Sequence, residues 1–293
     1  MFPSGFLNLN KPSGMTSRRA VDLVQRLARP AKVGHAGTLD PLASGVLVVA
    51  VGPATRLIEY VQRAPKRYRA SFLLGRQSPT EDVEGDVTEL TNPPVPLQSD
   101  LELAAARLTG RILQRPPAYS ALKIEGRRAY ALARRGEKVE LEPRLIEVYR
   151  LDVVEYAYPE LTLLIECSGG TYVRSLGRDL AESLGTAAVM SALVRSAVGS
   201  FRIDDAVDPN VLTSANWQNY LQPPWWAVAG LPRIELTAGA AARIASGQTI
   251  PRPPSLPAAG EYAAIDPAGR LLAILVPRGP GLLGPKLNLA PPS

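Results

Sequence analysis

The segment of residues 34–47 carries the residue types best suited to chemistry, because it holds a histidine, two early glycines and a single aspartate. The glycines permit unusual backbone angles and close approach, and Pro41 keeps Asp40 out of helical conformation. A loop that presents one carboxylate beside His35 suits a nucleophile or a general base. Glycine, aspartate and proline are also common turn residues, so these residues alone leave a purely structural turn open.

Two further segments are candidates for the same site. Residues 167–174 form a glycine-rich turn that leads into a predicted helix, where backbone N–H groups are available to anions. Arg174 falls in the first turn of that helix, which disfavours a cation, so a specific carboxylate partner is expected unless it is a chance surface arginine. Tyr68 begins a predicted strand, and a core or edge tyrosine is the alternative to a functional one.

The elements around these segments alternate irregularly. Thr16 or Ser17 can cap a helix that Pro30 stops. A leucine stripe after residue 174, ended by Gly185, predicts a second helix. Strand-like apolar runs occupy residues 45–51, 68–74, 146–154 and 161–167. Because helices and strands do not alternate regularly, the sequence predicts an α+β fold with a mixed or antiparallel central sheet.

Charge and composition narrow the class of protein. The chain has 293 residues, 33 basic and 27 acidic side chains, and a net charge of +6. Residues 107–150 alone hold 11 basic and five acidic side chains. Such an excess suits a phosphate backbone, although a solvated helix face is the alternative. One cysteine, Cys167, and one histidine make a metal centre improbable. No signal peptide or membrane-length apolar run is seen, so a cytoplasmic protein is expected.

Proline frequency indicates where the chain divides. From residue 223 onward, 71 residues hold 13 of the 28 prolines, and short apolar runs alternate with Pro and Gly. This pattern is typical of a small β-rich module. We therefore predict a large domain over residues 1–222, a linker that contains the tryptophan pair, and a small domain over residues 231–293.

Five separated segments, in order and spacing, resemble the tRNA pseudouridine synthases of the bacterial TruB type. They are residues 10–14, 34–47, 66–70, 115–123 and 170–174. Together they span most of residues 5–205. The C-terminal module is similar to a shortened PUA-like RNA-binding domain. The resemblance implies the pseudouridine synthase fold and a cytoplasmic isomerase.

The reaction that the resemblance implies is the isomerisation of uridine in the T-loop of tRNA, at position 55. The N1–C1′ bond breaks, the base rotates, and it reattaches through C5. The family uses no cofactor and no metal. The resemblance implies that Asp40 is the catalytic aspartate, that Arg174 pairs with it, and that Tyr68 stacks on the base and takes the C5 proton. The expected partner is the T-arm of tRNA, with no guide RNA and no membrane, and the enzyme is expected to be a monomer.

The resemblance also assigns residues that contact RNA. Around the flipped nucleotide, the expected substrate-binding residues are His35, Gly37, Thr38, Tyr172 and Leu193. A basic thumb insertion, over about residues 107–143, is expected to close on the T-arm. The expected RNA-binding residues are Lys11, Lys123, Arg127, Arg128, Arg134 and Arg135.

The sequence departs from the family pattern at two places. Ser78, Pro79 and Thr80 precede Asp82 instead of the usual run, which leaves the role of Asp82 open. After Leu193, one arginine of a usual pair is replaced and Arg195 remains. Two rival functions stay open. One is a guide-RNA-dependent pseudouridine synthase, which the basic insertion disfavours. The other is a tRNA-folding chaperone with secondary catalysis.

Overall fold

A large mixed sheet forms the centre of the protein. The computed structural model describes residues 3–119 and 141–289, together with the backbone of residues 123–124 and 127–128. The strands are β1 (Gly5–Lys11), β2 (Val33–His35), β3 (Ser44–Val51), β4 (Lys66–Leu74), β5 (Arg76–Gln77), β6 (Thr88–Glu89), β7 (Gly110–Gln114), β8 (Lys123–Ile124), β9 (Arg127–Arg128), β10 (Arg144–Ala157), β11 (Glu160–Cys167), β12 (Ala188–Val198), β13 (Phe201–Arg202), β14 (Leu221–Gln222), β15 (Arg233–Glu235), β16 (Ile250–Pro251), β17 (Tyr262–Ile265), β18 (Leu271–Pro277) and β19 (Leu282–Asn288).

Helices cover the sheet and link its strands. They are α1 (Ser17–Ala28), α2 (Ile58–Arg63), α3 (Gln98–Arg107), α4 (Val173–Glu182) and α5 (Ala238–Ala245). Short 3-10 turns occupy Gly52–Leu57, Ile203–Asp205, Pro209–Val211, Trp217–Tyr220 and Pro224–Val228. The Thr16 side chain caps α1, as predicted, by accepting a hydrogen bond from the Arg19 N–H at 3.1 Å.

The strand order explains why the sheet is mixed. In the described residues it runs β14-β1-β3-β12-β4-β11-β10-β7, with β2 paired to β3 and β13 to β12. The β3–β12 pair is parallel and its neighbours are antiparallel. The predicted α+β class with a mixed sheet is therefore confirmed. This parallel pair joins strands about 150 residues apart and brings Gly45 opposite Arg195.

Two glycines allow the close approaches on which the site depends. A Cβ on Gly45 would lie 2.3 Å from the Arg195 carbonyl oxygen, and Gly45 has φ +97°. A Cβ on Gly177 in α4 would lie 2.0 Å from the Phe72 ring in β4. Any side chain at either position would push β12 or α4 outward. These glycines thus determine how closely the arginines of β12 and α4 approach the loop between β2 and β3.

The C-terminal residues form a second, smaller sheet with the order β15-β17-β18-β19-β16. Its apolar residues Ala263 and Ile274 share one core with Phe6 and Phe201 of the large sheet. Trp226 completes that core, with its ring 5.8 Å from the ring of Phe201. The small β-rich module is therefore present, and the tryptophan segment lies between the two sheets.

The beginning of the basic segment differs from the expected 107–143 range. Residue 107 ends α3, and β7 pairs with β10 at the edge of the large sheet. Residues up to Gln114 therefore belong to the sheet, and any inserted segment begins after them. No helix in the described part of the chain has both the length and the apolar character needed to cross a bilayer.

Candidate active site

One cleft collects the residues that the sequence analysis assigned to catalysis and base binding. Its volume is about 1780 Å³, which exceeds the usual size of a small-molecule pocket and suits a nucleotide with its flanking backbone. It opens where the β3–β12 junction meets the N-terminus of α4. The predicted residues that line it are His35, Gly37, Thr38, Asp40, Tyr68, Tyr172, Arg174 and Leu193.

Arg195 holds the loop that carries Asp40. It is buried in β12, with 3% of its surface exposed. Its Nε donates to the Val46 carbonyl at 2.7 Å, and its Nη atoms donate to the Gly37 and Thr38 carbonyls at 3.1 and 3.4 Å. One planar guanidinium therefore fixes both ends of the turn between β2 and β3. In the sequence, Arg195 stands out only as the remaining member of an arginine pair, since nothing there shows which carbonyls it would reach.

The segment that precedes α1 fixes the same loop from the other side. The Ser17 hydroxyl donates to the Leu39 carbonyl at 2.8 Å and accepts from the Leu39 N–H at 2.9 Å. The Gly14 N–H donates to the Pro41 carbonyl at 2.8 Å. Backbone groups on both sides of Asp40 are thus bound. The carboxylate is presented from a loop with little freedom, as a preorganised catalytic group requires.

Lys11 belongs to this support, and its assignment as an RNA-binding residue is wrong. It is fully buried, and its Nζ donates to the Met15, Pro12 and Pro41 carbonyls at 2.6, 3.0 and 3.4 Å. No phosphate can reach this ammonium. Burial lowers the pKa of Lys11 to about 8, against an opposing effect of the Asp40 carboxylate.

Asp40 meets Arg174 as the sequence predicted. Arg174 Nη2 lies 3.1 Å from Asp40 Oδ2. The Arg174 side chain is 9% exposed and that of Asp40 is 37% exposed. The arginine thus approaches from the protein interior, while the carboxylate keeps a face toward the cleft. An ion pair with a planar guanidinium in this geometry aims the carboxylate toward the cleft.

Asp82 is a second partner of Arg174. Its Oδ2 lies 3.3 Å from Arg174 Nη1, and its side chain is 4% exposed. The Thr80 hydroxyl donates to Asp82 Oδ1 at 2.6 Å, and the Glu84 N–H donates to the same oxygen at 3.1 Å. Thr80, one of the residues that depart from the family pattern, therefore still supports Asp82. Arg174 has carboxylates on two sides, so its charge is balanced within the site.

Tyr68 forms part of the cleft wall beside Arg195, its neighbour across the β4–β12 ladder. It is 7% exposed. Burial raises the pKa of Tyr68, and the nearby Arg195 guanidinium opposes that rise. The phenol is therefore protonated near neutral pH. A neutral, buried ring is well suited to stacking on a base.

His35 lies at the end of β2, half-buried in the cleft. Its Nδ1 accepts a hydrogen bond from the Gly37 N–H at 3.3 Å, which assigns the proton to Nε2. Burial lowers the pKa of His35, and the repulsion of the Arg195 guanidinium lowers it further. The imidazole is therefore neutral near pH 7, and it can stack without carrying a charge.

Tyr172 is placed by a residue that the sequence analysis missed. Gln114, at the end of β7, donates from Nε2 to the Tyr172 carbonyl at 3.0 Å and accepts from the Tyr172 N–H at 2.9 Å. A glutamine at a strand end carries no sequence signal for such a distant partner. Leu193, buried in β12, lies opposite Ala70 of β4 and contributes an apolar part of the cleft wall.

The remaining predicted RNA-binding residues lie outside the described side chains. Arg134 and Arg135 lie outside the described residues, and only the backbone is described for Lys123, Arg127 and Arg128. These assignments stay predictions. Within residues 3–119 and 141–289, no cluster of three His, Cys, Asp or Glu side chains is arranged to hold a metal ion.

Comparison with known sequences gives two matches that follow the two sheets. Residues 25–173 match the family described as TruB family pseudouridylate synthase (N-terminal domain), and residues 231–283 match tRNA pseudouridine synthase II, C-terminal. The first match contains both Asp40 and Tyr68. The chain belongs to the TruB family. Within that family, the Asp40 loop and the C-terminal module are therefore parts of one recognised architecture.

Individual TruB relatives match over almost the whole chain. The protein is 40% identical over 282 residues to the tRNA pseudouridine synthase B of Corynebacterium aurimucosum, covering 94% of this chain and 93% of that one. It is 39% identical over 300 residues to the enzyme of the same name from Arthrobacter sp. (strain FB24), covering 98% and 97%. Both domains are thus included in the similarity.

Solved structures support the same fold. A chain in a structure titled "Crystal Structure of a Cbf5-Nop10-Gar1 Complex" superimposes with a TM-score of 0.74 at 25% identity, covering 98% of this chain and 85% of the other. A chain from an H/ACA RNP bound to a substrate RNA gives a TM-score of 0.73 at 22% identity, covering 98% and 85%. The pseudouridine synthase fold of this TruB-family chain is therefore confirmed.

Proposed function

We propose that this protein converts a uridine in the T-loop of tRNA into pseudouridine, with Asp40 as the catalytic carboxylate. The observation that carries the proposal is the Asp40–Arg174 contact of 3.1 Å inside a cleft large enough for an extruded nucleotide. The family membership supports the reaction, and the TruB relatives are named for tRNA.

The reaction needs one bond broken and one bond made. The N1–C1′ bond breaks, the base turns, and C5 bonds to C1′; the proton on C5 is lost and N1 gains one. No oxidant or reductant is required. Asp40 is the described carboxylate that Arg174 holds at the open side of the cleft. This carboxylate is available to attack the nucleotide or to assist departure of the base.

Tyr68 supplies the ring on which the extruded base stacks. Because burial raises the pKa of Tyr68, its oxygen carries a proton near pH 7. The phenol can therefore accept the C5 proton only in a step in which its own proton leaves. We infer that stacking is its main contribution, and that it takes part in proton transfer as a relay.

Base flipping explains the remaining residues of the cleft. A stacked uridine hides C1′ and C5, and extrusion costs a few kcal/mol. The neutral His35 can fill part of the vacated stack. Leu193 and Tyr172 enclose the base. Gly37 and Thr38 line the bottom of the cleft, and their carbonyl oxygens accept hydrogen bonds from Arg195. Recognition of the surrounding RNA then depends mainly on its backbone and shape.

Tritium release tests this proposal directly. A T-arm hairpin that carries 5-tritiated uridine is incubated with the enzyme and with no guide RNA. We expect stoichiometric release of tritium, since loss of the C5 hydrogen accompanies formation of the C5–C1′ bond. A matched hairpin with tritiated uridine only outside the T-loop serves as the control. Release that requires an added guide RNA favours the guide-dependent alternative, and binding without any release favours the chaperone.

A further inference from the structure

Two arginines stand one turn apart on α4 and make parallel sets of contacts. Arg174 donates to the Thr80 carbonyl at 2.7 Å and to the Tyr119 carbonyl at 3.2 Å. Arg178 forms an ion pair with Glu81 and donates to the Arg115 carbonyl at 2.9 Å. Residues four apart share one helix face. The same two segments, residues 80–82 and 115–119, are therefore bound to α4 at two successive turns.

Glu81 is an unusual member of this cluster. It has φ +62°, a left-handed conformation that a residue other than glycine rarely adopts. Its carboxylate accepts a hydrogen bond from the Ser175 hydroxyl at 2.7 Å, in addition to its pair with Arg178. Such a conformation persists where surrounding contacts hold it. The next residue is Asp82, the buried partner of Arg174. Glu81 therefore helps to place Asp82, together with Met190 of β12, whose N–H donates to the Glu81 carbonyl at 3.0 Å.

The second segment leads into the basic stretch. Arg115 and Tyr119 follow β7 directly, and the Tyr119 carbonyl shares Arg174 Nη2 with Asp40. A shift of residues 115–119 would therefore alter the hydrogen bonding of the nitrogen that aims the catalytic carboxylate. Arg178, through the Arg115 carbonyl, fixes the start of this segment.

We propose that Arg178 is a positioning residue which, together with Glu81, holds residues 80–82 and 115–119 so that Arg174 is aimed at Asp40. The inference rests on the proposed function, because its readout is the rate of uridine isomerisation. Arg178 itself is not placed in contact with the base. Its loss loosens the hold on residues 80–82 and 115–119, and thereby the geometry of the charged contact between Arg174 and Asp40.

The test compares three variants with the wild type. Glu81→Gln removes the ion pair and keeps the side-chain shape, whereas Arg178→Gln also shortens the side chain and removes the pair of Arg178 with Asp179 at 2.7 Å. The double variant combines the two changes. Single-turnover tritium release from a tRNA transcript is measured with enzyme in excess, well below each melting temperature, and tRNA affinity is measured separately. Arg76→Gln is the matched control, because Arg76 pairs with Glu89 at 2.8 Å on the exposed β5–β6 hairpin.

We expect each single variant to lower the single-turnover rate constant about tenfold or more, since small displacements of catalytic groups are costly. The Kd for tRNA should stay within about threefold, because the phosphate contacts that dominate RNA affinity remain. The double variant should be no slower than the slower single variant, as expected for partners in one interaction. Arg76→Gln should retain the wild-type rate.

Three outcomes would overturn the inference. They are a folded Arg178→Gln enzyme with the wild-type rate, rate losses of the two single variants that multiply in the double variant, and an equal loss in Arg76→Gln. If Arg178→Gln does not fold, Glu81→Gln alone carries the test, because it removes the same pair. A wild-type enzyme that releases no tritium from tRNA refutes the proposed function instead, so the two failures are distinguishable.

Discussion

The two faces of the large sheet use their cations differently. On the cleft side, Lys11, Arg174 and Arg195 are buried and donate largely to backbone carbonyls. On the opposite face, Arg67 and Arg69 are half-exposed and pair with the carboxylates of Glu166 and Glu155 at 3.1 and 2.6 Å. The alternation of side chains along β4 separates the two sets, because Tyr68 lies between these exposed arginines and points the other way.

This difference shows what a basic residue does in this protein. A buried cation bound by carbonyls fixes the backbone that supplies those carbonyls, and its removal leaves several polar groups without partners. An exposed ion pair contributes about 0.2–1 kcal/mol and constrains little. Cations on the cleft side therefore position the loop that carries Asp40, whereas those on the outer face cancel local charge. The following substitutions test that division.

The largest effect should come from removing the charge of Asp40, the carboxylate that the buried cations position. Asp40→Asn keeps the shape and removes the charge that Arg174 holds at 3.1 Å. We expect the turnover number to fall by about 10²–10⁴-fold, the usual contribution of a positioned carboxylate. Binding of tRNA should persist in a filter-binding measurement. Glu166→Gln, which also deprives an arginine of its partner, is the control and should turn over normally. Product at a near wild-type rate from Asp40→Asn would exclude Asp40 as the catalytic group.

The next effect concerns the arginine itself. Arg174→Lys keeps one positive charge but cannot serve Asp40, Asp82 and two carbonyls at once, because the planar fork is lost. We expect the single-turnover rate constant to fall by about 10- to 100-fold, equivalent to about 1.4–2.7 kcal/mol of transition-state stabilisation. The affinity for tRNA should change less. Arg67→Lys is the matched control on the outer face. Equal losses in the two variants would erase the distinction between the faces.

Much of the fold and of the candidate site could be predicted from the sequence. The residues that were misassigned or missed have a common cause. The loop that carries Asp40, the helix start at Arg174 and the α+β class were predictable, because local residue patterns encode turns, caps and apolar periods. Lys11 was assigned to RNA because it lies in residues 10–14, one of the segments that carry the family resemblance. Its carbonyl partner at Pro41 is 30 residues away. Arg195 and Gln114 were missed for the same reason.

Long-range contacts also explain the misjudged start of the basic segment. The excess of basic side chains over residues 107–150 led to residues 107–114 being grouped with the residues that follow them. Backbone pairing of Leu113 with Leu145 instead assigns β7 to the sheet. Side-chain patterns report burial and local conformation, whereas partners in a sheet with crossovers depend on the fold as a whole. The sequence therefore indicates which residues can react more reliably than which residues hold them.

A smaller effect is expected from the predicted RNA-contacting arginines. Replacing Arg127, Arg128, Arg134 and Arg135 by Gln should flatten the dependence of tRNA affinity on salt, with little change in the single-turnover rate at saturating enzyme. Each phosphate contact that is lost lowers the slope of log K against log salt by about 0.7–0.9. The control is a triple Arg→Gln variant of the outer face at positions 67, 69 and 150, whose arginines are already paired. An unchanged slope in the quadruple variant would separate these arginines from phosphate binding.

The smallest effect should be the pH dependence of stability that the buried Lys11 produces. Burial lowers the pKa of Lys11 to about 8, from an ordinary value of 10.5 in the unfolded chain. Between these values the unfolded state binds more protons, so the contribution of Lys11 to the free energy of unfolding rises with pH over this window and is constant below it. The stability advantage of the wild type over Lys11→Met should thus grow by about 1 kcal/mol or more between pH 8 and pH 10, since one pKa unit corresponds to about 1.4 kcal/mol.

Urea unfolding at pH 7, 8, 9 and 10 measures this difference in the free energy of unfolding. The matched control is Lys32→Met, because Lys32 is exposed. If the difference in the free energy of unfolding does not change with pH over this range, water reaches the ammonium. Lys11 would then belong with the exposed cations.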